Sequence, residues 1–470
     1  MRKCLVLLCL ILVLLLAGCK EKVTIGQTQY PIDTTVLDLS GAPLEELDAL
    51  AQFTELQTLN VSNTGITGKQ YDALCAALPN CRIIWTPIFQ GKAYPADTTA
   101  LTAAELTGTE AAELAYFPQL QTLDTTACRN YPLLLALMEE YPRIRMDYVV
   151  EFGGQMLTAE ATEAVFTDIS GEELTVALQL LPNLDSLWLA GELPAAEVLF
   201  QLQEAYPDVI IDWSVTICGL MVASDIQELD LSGIAVADVA EVENKLGYLP
   251  QLKKVTMCDC GVPNEEMDAL NRRYEDIRFI WNVTLGPYIT VRTDLTEFIV
   301  YTYKYKYYLD DEAAYNLRYC TDMVCLDLGH NPITNCDFVA FMPNLTYLVI
   351  ADTQVSDLTP LTGLTNLKYL EAFLCPFTDY TPLATLTGLE DLNIGFTQGE
   401  DATALKQMTW LKRLWWSRCK LSMEQREALK EALPNTQFVT NQSSSTGGGW
   451  RTSQNYYDMR DMLGMHYMTG

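Results

Sequence analysis

Leu326, Leu348, Leu370, Leu392 and Leu414 stand 22 residues apart, four intervals in succession. So strict a period restricts the chain to architectures in which one short unit stacks on the next. The segments around these leucines read MVCLDLGHN, LTYLVIADT, LKYLEAFLC, LEDLNIGFT and LKRLWWSRC. Apolar and outward residues alternate over a few positions, as in a short strand. A small or hydrogen-bonding residue then closes each motif: Asn331, Thr353, Cys375, Thr397 and Cys419. A 22-residue coil cannot bury its leucine face alone. Stacking buries roughly four or five apolar side chains per coil, each contributing about 1.5 to 3 kcal/mol. The closing slot turns inward as the chain leaves the strand, where a side chain must be small and must satisfy backbone groups of adjacent coils. Cys375 therefore reads as structural rather than as a metal ligand, a nucleophile or half of a disulfide.

These segments match the leucine-rich repeat core L-x-x-L-x-L-x-x-N/C. The first half carries the pattern less regularly: LQTLNVSNT (56 to 64), LQTLDTTAC (120 to 128) and LKKVTMCDC (252 to 260) are full matches, which adds Cys128 and Cys260 to the turn ladder. A longer period overlies it. Blocks containing Trp85, Tyr148, Trp213 and Trp281 recur 63, 65 and 68 residues apart, and each block reads as three coils. Helical patterns such as YDALCAALPN and AAEVLFQLQEAYPD precede these blocks. The expected fold is α/β: a leucine-rich repeat solenoid with a curved parallel sheet on its concave face and helices or 3-10 turns on its convex face.

The regular repeats, SDLTPLTGLTNLKYL (356 to 370) above all, resemble those of bacterial surface leucine-rich repeat proteins of the internalin type. That resemblance implies protein recognition on the concave sheet and brings no particular ligand with it. No cell-wall sorting motif stands at the C-terminus. At the other end, Met1-Arg2-Lys3 precedes an apolar run over 4 to 18, shorter than the ~18 residues of a spanning helix. Leu16-Ala17-Gly18-Cys19 resembles the lipobox of bacterial lipoproteins. The resemblance implies cleavage before Cys19, a lipid on its thiol, and a bacterial surface protein held to the membrane by that lipid.

The expected organisation follows: 1–18 signal peptide, 19–30 tether, and 31–286 an irregular array with a super-repeat of roughly 64 residues. A tyrosine-rich junction (287–321), regular repeats (322–440), a Ser/Gly linker (441–449) and a tail (450–470) complete it. In the tail, Tyr456, Met459 and Leu463 fall on one helical face. The expectation is a cap on the last coil, with a small recognition element as the alternative.

The chain holds 61 acidic against 30 basic residues, a formal charge of -31, which repels nucleic acid and favours a protein or peptide partner with basic patches. Only two histidines exist, His330 and His466, and no phosphate loop, nucleophile elbow or zinc motif is present. No catalytic residue, metal site or cofactor is expected, and the chain is expected to be monomeric. The concave rows read Tyr347, Tyr369, Asp391, Arg413 and Val349, Glu371, Asn393, Trp415. Asp391 with Arg413, and Glu390 with Lys368 and Lys412, are expected to be surface pairs worth well under ~1 kcal/mol. Tyr347, Tyr369, Phe373, Arg413 and Trp415 are expected to lie exposed and to form the partner-binding site, because aromatics beside an arginine are what binding hot spots use. The alternatives are a carbohydrate-binding surface protein that stacks sugars on Trp and Tyr, and an enzyme with residues dispersed over loops.

Overall fold

The leucines that set the period face one another across a parallel sheet. In the computed structural model, Leu326, Leu348, Leu370, Leu392 and Leu414 pair in one register, with Phe298 before them and Phe438 after. The five leucines are fully buried. The described residues are 21–300, 308–440 and 443–465. The signal peptide, Cys19, the tyrosine-rich stretch 301–307 and His466 lie outside them.

The chain divides after Val215 into two compact units. The first begins with an antiparallel hairpin, β1 (Lys22–Ile25) and β2 (Thr28–Pro31), and continues with the parallel strands β3 (Val36–Asp38), β4 (Thr58–Asn60) and β5 (Arg82–Ile84). The hairpin β6 (Ile88–Phe89) and β7 (Lys92–Ala93) precedes the parallel set β8 (Ala100–Thr102), β9 (Thr122–Asp124) and β10 (Arg145–Asp147). The hairpin β11 (Val149–Phe152) and β12 (Gln155–Thr158) precedes β13 (Glu163–Thr167), β14 (Ser186–Ala190) and β15 (Ile210–Ile217). In the second unit come β16 (Leu220–Ala223), the parallel set β17 (Glu228–Asp230), β18 (Lys254–Thr256) and β19 (Arg278–Ile280), and the hairpin β20 (Asn282–Thr284) and β21 (Thr290–Arg292). A seven-stranded parallel sheet follows: β22 (Glu297–Ile299), β23 (Cys325–Asp327), β24 (Tyr347–Val349), β25 (Tyr369–Glu371), β26 (Asp391–Asn393), β27 (Arg413–Trp415) and β28 (Gln437–Val439). It starts one strand ahead of the boundary at 322 expected from sequence. Each unit is a leucine-rich repeat solenoid.

The hairpins are an addition that the sequence reading did not contain. In two of them, β6–β7 and β11–β12, a two-residue turn places both residues at positive φ: Gln90 (49°) with Gly91 (74°), and Gly153 (53°) with Gly154 (77°). This geometry matches strand twist and favours glycine at the second position, which is the glycine of FQGK and FGGQ.

Convex elements shorten to 3-10 turns over residues 337 to 407 and return to a ten-residue helix at Met423–Ala432. Ten-residue helices such as Gly68–Ala77 and Gly171–Leu180 start on capping boxes, Thr67 with Gln70 and Ser170 with Glu173. The 22-residue coils have room only for 3-10 turns such as Thr359–Leu361 and Thr381–Thr385. Pro360 and Pro382 preset the first turn of these, and Asp357 and Asp379 accept from the amides of Thr359 and Thr381.

One residue per coil takes a left-handed conformation just before the closing slot. His330, Asp352, Leu374, Phe396 and Arg418 have φ between 55° and 64°. The turn lets Leu374 N–H reach Gly395 O at 2.9 Å and Phe396 N–H reach Ser417 O at 2.8 Å in the next coil. The slot side chain then bonds inward. Asn331 donates to Leu328 O at 3.0 Å and accepts from Leu309 N, while Thr353 and Thr397 donate to Ile350 O and Ile394 O. Cys375 and Cys419 reach those same two carbonyls at 3.0 and 2.9 Å, and Cys260 reaches Leu231 O at 3.1 Å. Cys128 is buried as well. None of the eleven cysteines among the described residues is in a disulfide.

Candidate functional site: the concave face of the seven-stranded sheet

Residues before and after each buried leucine point away from the core, so the sheet carries two outward rows. Tyr347, Tyr369, Asp391 and Arg413 run in register, as do Val349, Glu371, Asn393 and Trp415. On the four-stranded sheet β13–β16 such positions stay open: Val165 and Trp188 are 47% and 40% exposed. On the seven-stranded sheet they are covered. Tyr369 is 0%, Trp415 1% and Arg413 9% exposed, and Tyr347 and Phe373 are buried too. This corrects the expectation that these five side chains are exposed. The physical reason is the tail.

Residues 443 to 465 fold back across this face rather than over the last coil, so the expected capping role is also corrected. Asn393 donates to Ser445 O at 2.8 Å, and the Trp415 indole donates to Gly447 O at 2.7 Å. Arg413 donates to Gly449 O at 3.2 Å and Trp450 O at 3.1 Å. The ring of Trp450 then enters the sheet surface. It lies 5.0 Å from Tyr369 and 5.3 Å from Trp415, with the Arg413 guanidinium 4.9 Å from its centroid. Its N–H donates to Glu371, which also accepts from the Tyr369 hydroxyl.

Ser453 caps the helix Gln454–Met462 by accepting from Tyr456 N. Asn455 donates to Glu390 and Asp391, each at 3.0 Å, while Tyr456 and Met459 pack against the aromatic cluster. Leu463 is partly buried against the same cluster, and Cys325 Sγ donates to Met459 O at 3.9 Å.

The covered surface is electrostatically unlike a rim. Arg413 bonds Asp391 at 2.7 Å, with side chains 11% and 3% exposed, so the pair is buried and not the weak surface pair expected. Lys412 and Glu390, at 2.9 Å, stay nearer the solvent. Burial, then the neighbouring Glu371 charge, raises the Tyr369 phenol well above its usual range. Burial also lifts the Asp327 carboxyl to about 6; the Gly329 amide it accepts from opposes the shift and Glu371 adds to it.

Sequence reasoning placed Glu371 and Asn393 in the outward rows and treated the tail as a cap or recognition element; it did not pair Trp450 with Glu371, Asn393 with Ser445, or Asn455 with Glu390 and Asp391. A signal was present: a lone tryptophan after three glycines, beside a Tyr456–Met459 stripe on a helix too short to stand alone. Among the described residues no group of three or more His, Cys, Asp or Glu could hold a metal, and no helix is long and apolar enough to cross a membrane. His330 lies exposed in its turn, 2.9 Å from Asp352.

By its coils, its inward turn ladder and its parallel concave sheet, the fold is that of leucine-rich repeat proteins. No protein-family model and no curated protein matches the chain. Among solved structures it is similar to internalin C2 from Listeria monocytogenes, with 24% identity over 47% of this chain and 76% of that one and a TM-score of 0.25. It is also similar to the internalin inlF of the same organism, with 14% identity over 89% and 91% and a TM-score of 0.25. A leucine-rich repeat protein of Leptospira interrogans matches at 17% identity over 87% and 90%, with a TM-score of 0.30.

Proposed function

We propose that the chain is a lipid-anchored protein of the bacterial surface that binds a protein or peptide partner through the concave face of β23–β27 and catalyses nothing. The observation that carries this reading is the chemistry of that face. The aromatic side chains Tyr347, Tyr369, Phe373 and Trp415, a buried Arg413–Asp391 pair and the acceptors Glu371 and Glu390 form a surface suited to polypeptide, and a polypeptide segment already lies on it. Rigid coils hold the rows in place, which lowers the ordering cost of binding. The acidic balance of the whole chain favours a partner with basic patches. Anchoring rests on the lipobox-like Leu16 to Cys19.

Cross-linking on intact cells, with identification of what is captured, tests the reading. Trp415→Ala and Tyr369→Ala should each weaken the captured partner at least tenfold, since a central aromatic anchor typically accounts for on the order of 2 kcal/mol. Equal binding by both variants would place recognition elsewhere. Cys19→Ala should move the protein out of the membrane fraction; if it stays there, the anchor is not this lipid.

A further inference from the structure

The sheet grips the tail mainly by its backbone. Four main-chain carbonyls, those of Ser445, Gly447, Gly449 and Trp450, each accept from a side chain of β26 or β27. Such contacts are indifferent to the side chains that the bound segment carries. Specificity comes from three further features. Gly448 and Gly449 lie at φ 66° and 89°, a turn that favours glycine. An indole fills the socket of Tyr369, Trp415, Arg413 and Glu371. A short helix then sets an amide on Glu390 and Asp391 and two apolar side chains on the aromatic rows.

The hold is also lean. Among the described tail residues only Trp450, Tyr456 and Met459 are buried, while more than twenty residues lose conformational freedom on docking. A segment so held, on a short connection to β28, behaves as a tethered ligand at an effective concentration on the order of millimolar.

We infer that the concave face of β23–β27 is a groove for polypeptide segments of glycine-turn, tryptophan, short-helix form, and that residues 443–465 occupy it in cis. The partner presents the same form and enters by displacing them. This rests on the reading that the concave face is the recognition surface.

The probe is a fluorescent synthetic peptide with the sequence of residues 443–465, titrated by anisotropy into the full-length chain. The parent, its groove filled, should bind it weakly. Trp450→Ala with Asn455→Ala and Tyr456→Ala, which weakens only the tethered copy, should bind it at least tenfold more tightly. Adding Trp415→Ala to that variant, or replacing the peptide's tryptophan by alanine, should abolish the gain. If the triple variant keeps the parent's circular dichroism and binds no better, the inference is overturned.

Should that variant fail to fold, a protease site placed at residues 441–442 of the full chain gives a second measurement. The cut tail should exchange with labelled peptide on dilution; a cut tail that never exchanges overturns the inference. The two readings fail separately. A captured partner insensitive to Trp415→Ala sinks the recognition reading and leaves tail exchange standing. A partner that needs Trp415 but gains nothing from tail release sinks the occupancy inference alone.

Discussion

The indole N–H of Trp450 donates to the carboxylate of Glu371 at 3.0 Å, across 79 residues of chain. Glu371 sits in the outward row of β25, buried with the Tyr369 hydroxyl as its second donor. A buried carboxylate with two donors and, among the described residues, no cation bonded to it depends on both. Tail and sheet are therefore matched in polarity as well as in shape.

Removing the ring tests how local that match is. A fully buried tryptophan cut to alanine typically costs about 3 to 5 kcal/mol. Here the tail can release instead of the coils unfolding, so that penalty is capped by the docking free energy. Trp450→Ala should abolish hydrogen-exchange protection of residues 454–464 while leaving that of β23–β27 largely intact. Loss of protection throughout the sheet would mean that the tail is part of the cooperative core.

Acid should stabilise the array near Asp327. Its folded-state carboxyl is raised from 3.8 to about 6, so the folded form binds a proton more tightly than the unfolded form. This contribution is fully present below the unfolded value and is lost as pH rises through about 6. Because the side chain keeps some contact with solvent, the loss is on the order of 1 kcal/mol rather than the full linkage value. Asp327→Asn should remove the pH dependence between about 4 and 6 and raise stability at pH 7, measured by urea unfolding. Asn393 already fills the matching position three coils on, accepting from Gly395 N at 3.0 Å as Asp327 does from Gly329 N. An unchanged pH profile in the variant would rule Asp327 out.

Cys128, Cys260, Cys375 and Cys419 should resist thiol labelling in the native protein and react after denaturation. Burial shields all four, and it raises the Cys260, Cys375 and Cys419 thiols, lowering the thiolate fraction that reacts. Cys75, Cys81 and Cys218, which keep partial exposure, should label first. Rapid native labelling of Cys375 would contradict the turn ladder.

Leu374 occupies a left-handed turn at φ 61° with its side chain 45% exposed. An L-residue with a bulky side chain gives up about 1 to 2 kcal/mol there, and asparagine less. Asn63 takes the same turn in an earlier coil. Leu374→Asn should therefore raise the thermal midpoint by a few degrees, as a gain of about 1 kcal/mol does in domains of this size. A lowered midpoint would show that Leu374 packing outweighs the strain.

The coils were legible because their signal is local and repeated. Leu326 through Leu414 carry the register, and residues 22 apart are the ones that pair. The hairpins were not read, since FQGK and FGGQ each give only one turn signal inside blocks dominated by the longer repeat. The covered state of Tyr347, Tyr369 and Trp415 carried no periodic signal. It arises from contacts between the last residues of the chain and strands far upstream, and no pattern within one coil encodes such a partner. The outward rows were visible; what lies on them was not.

The tail also changes the order of events during synthesis. Coils touching only their neighbours can fold as each emerges. Met459 meets Cys325 across 134 residues, and must wait until the whole sheet has been made. During that interval Tyr369 and Trp415 stand uncovered on an otherwise complete array. On the proposed reading, a polypeptide that fits them then meets no competitor, and the newly made chain is more receptive than the finished one.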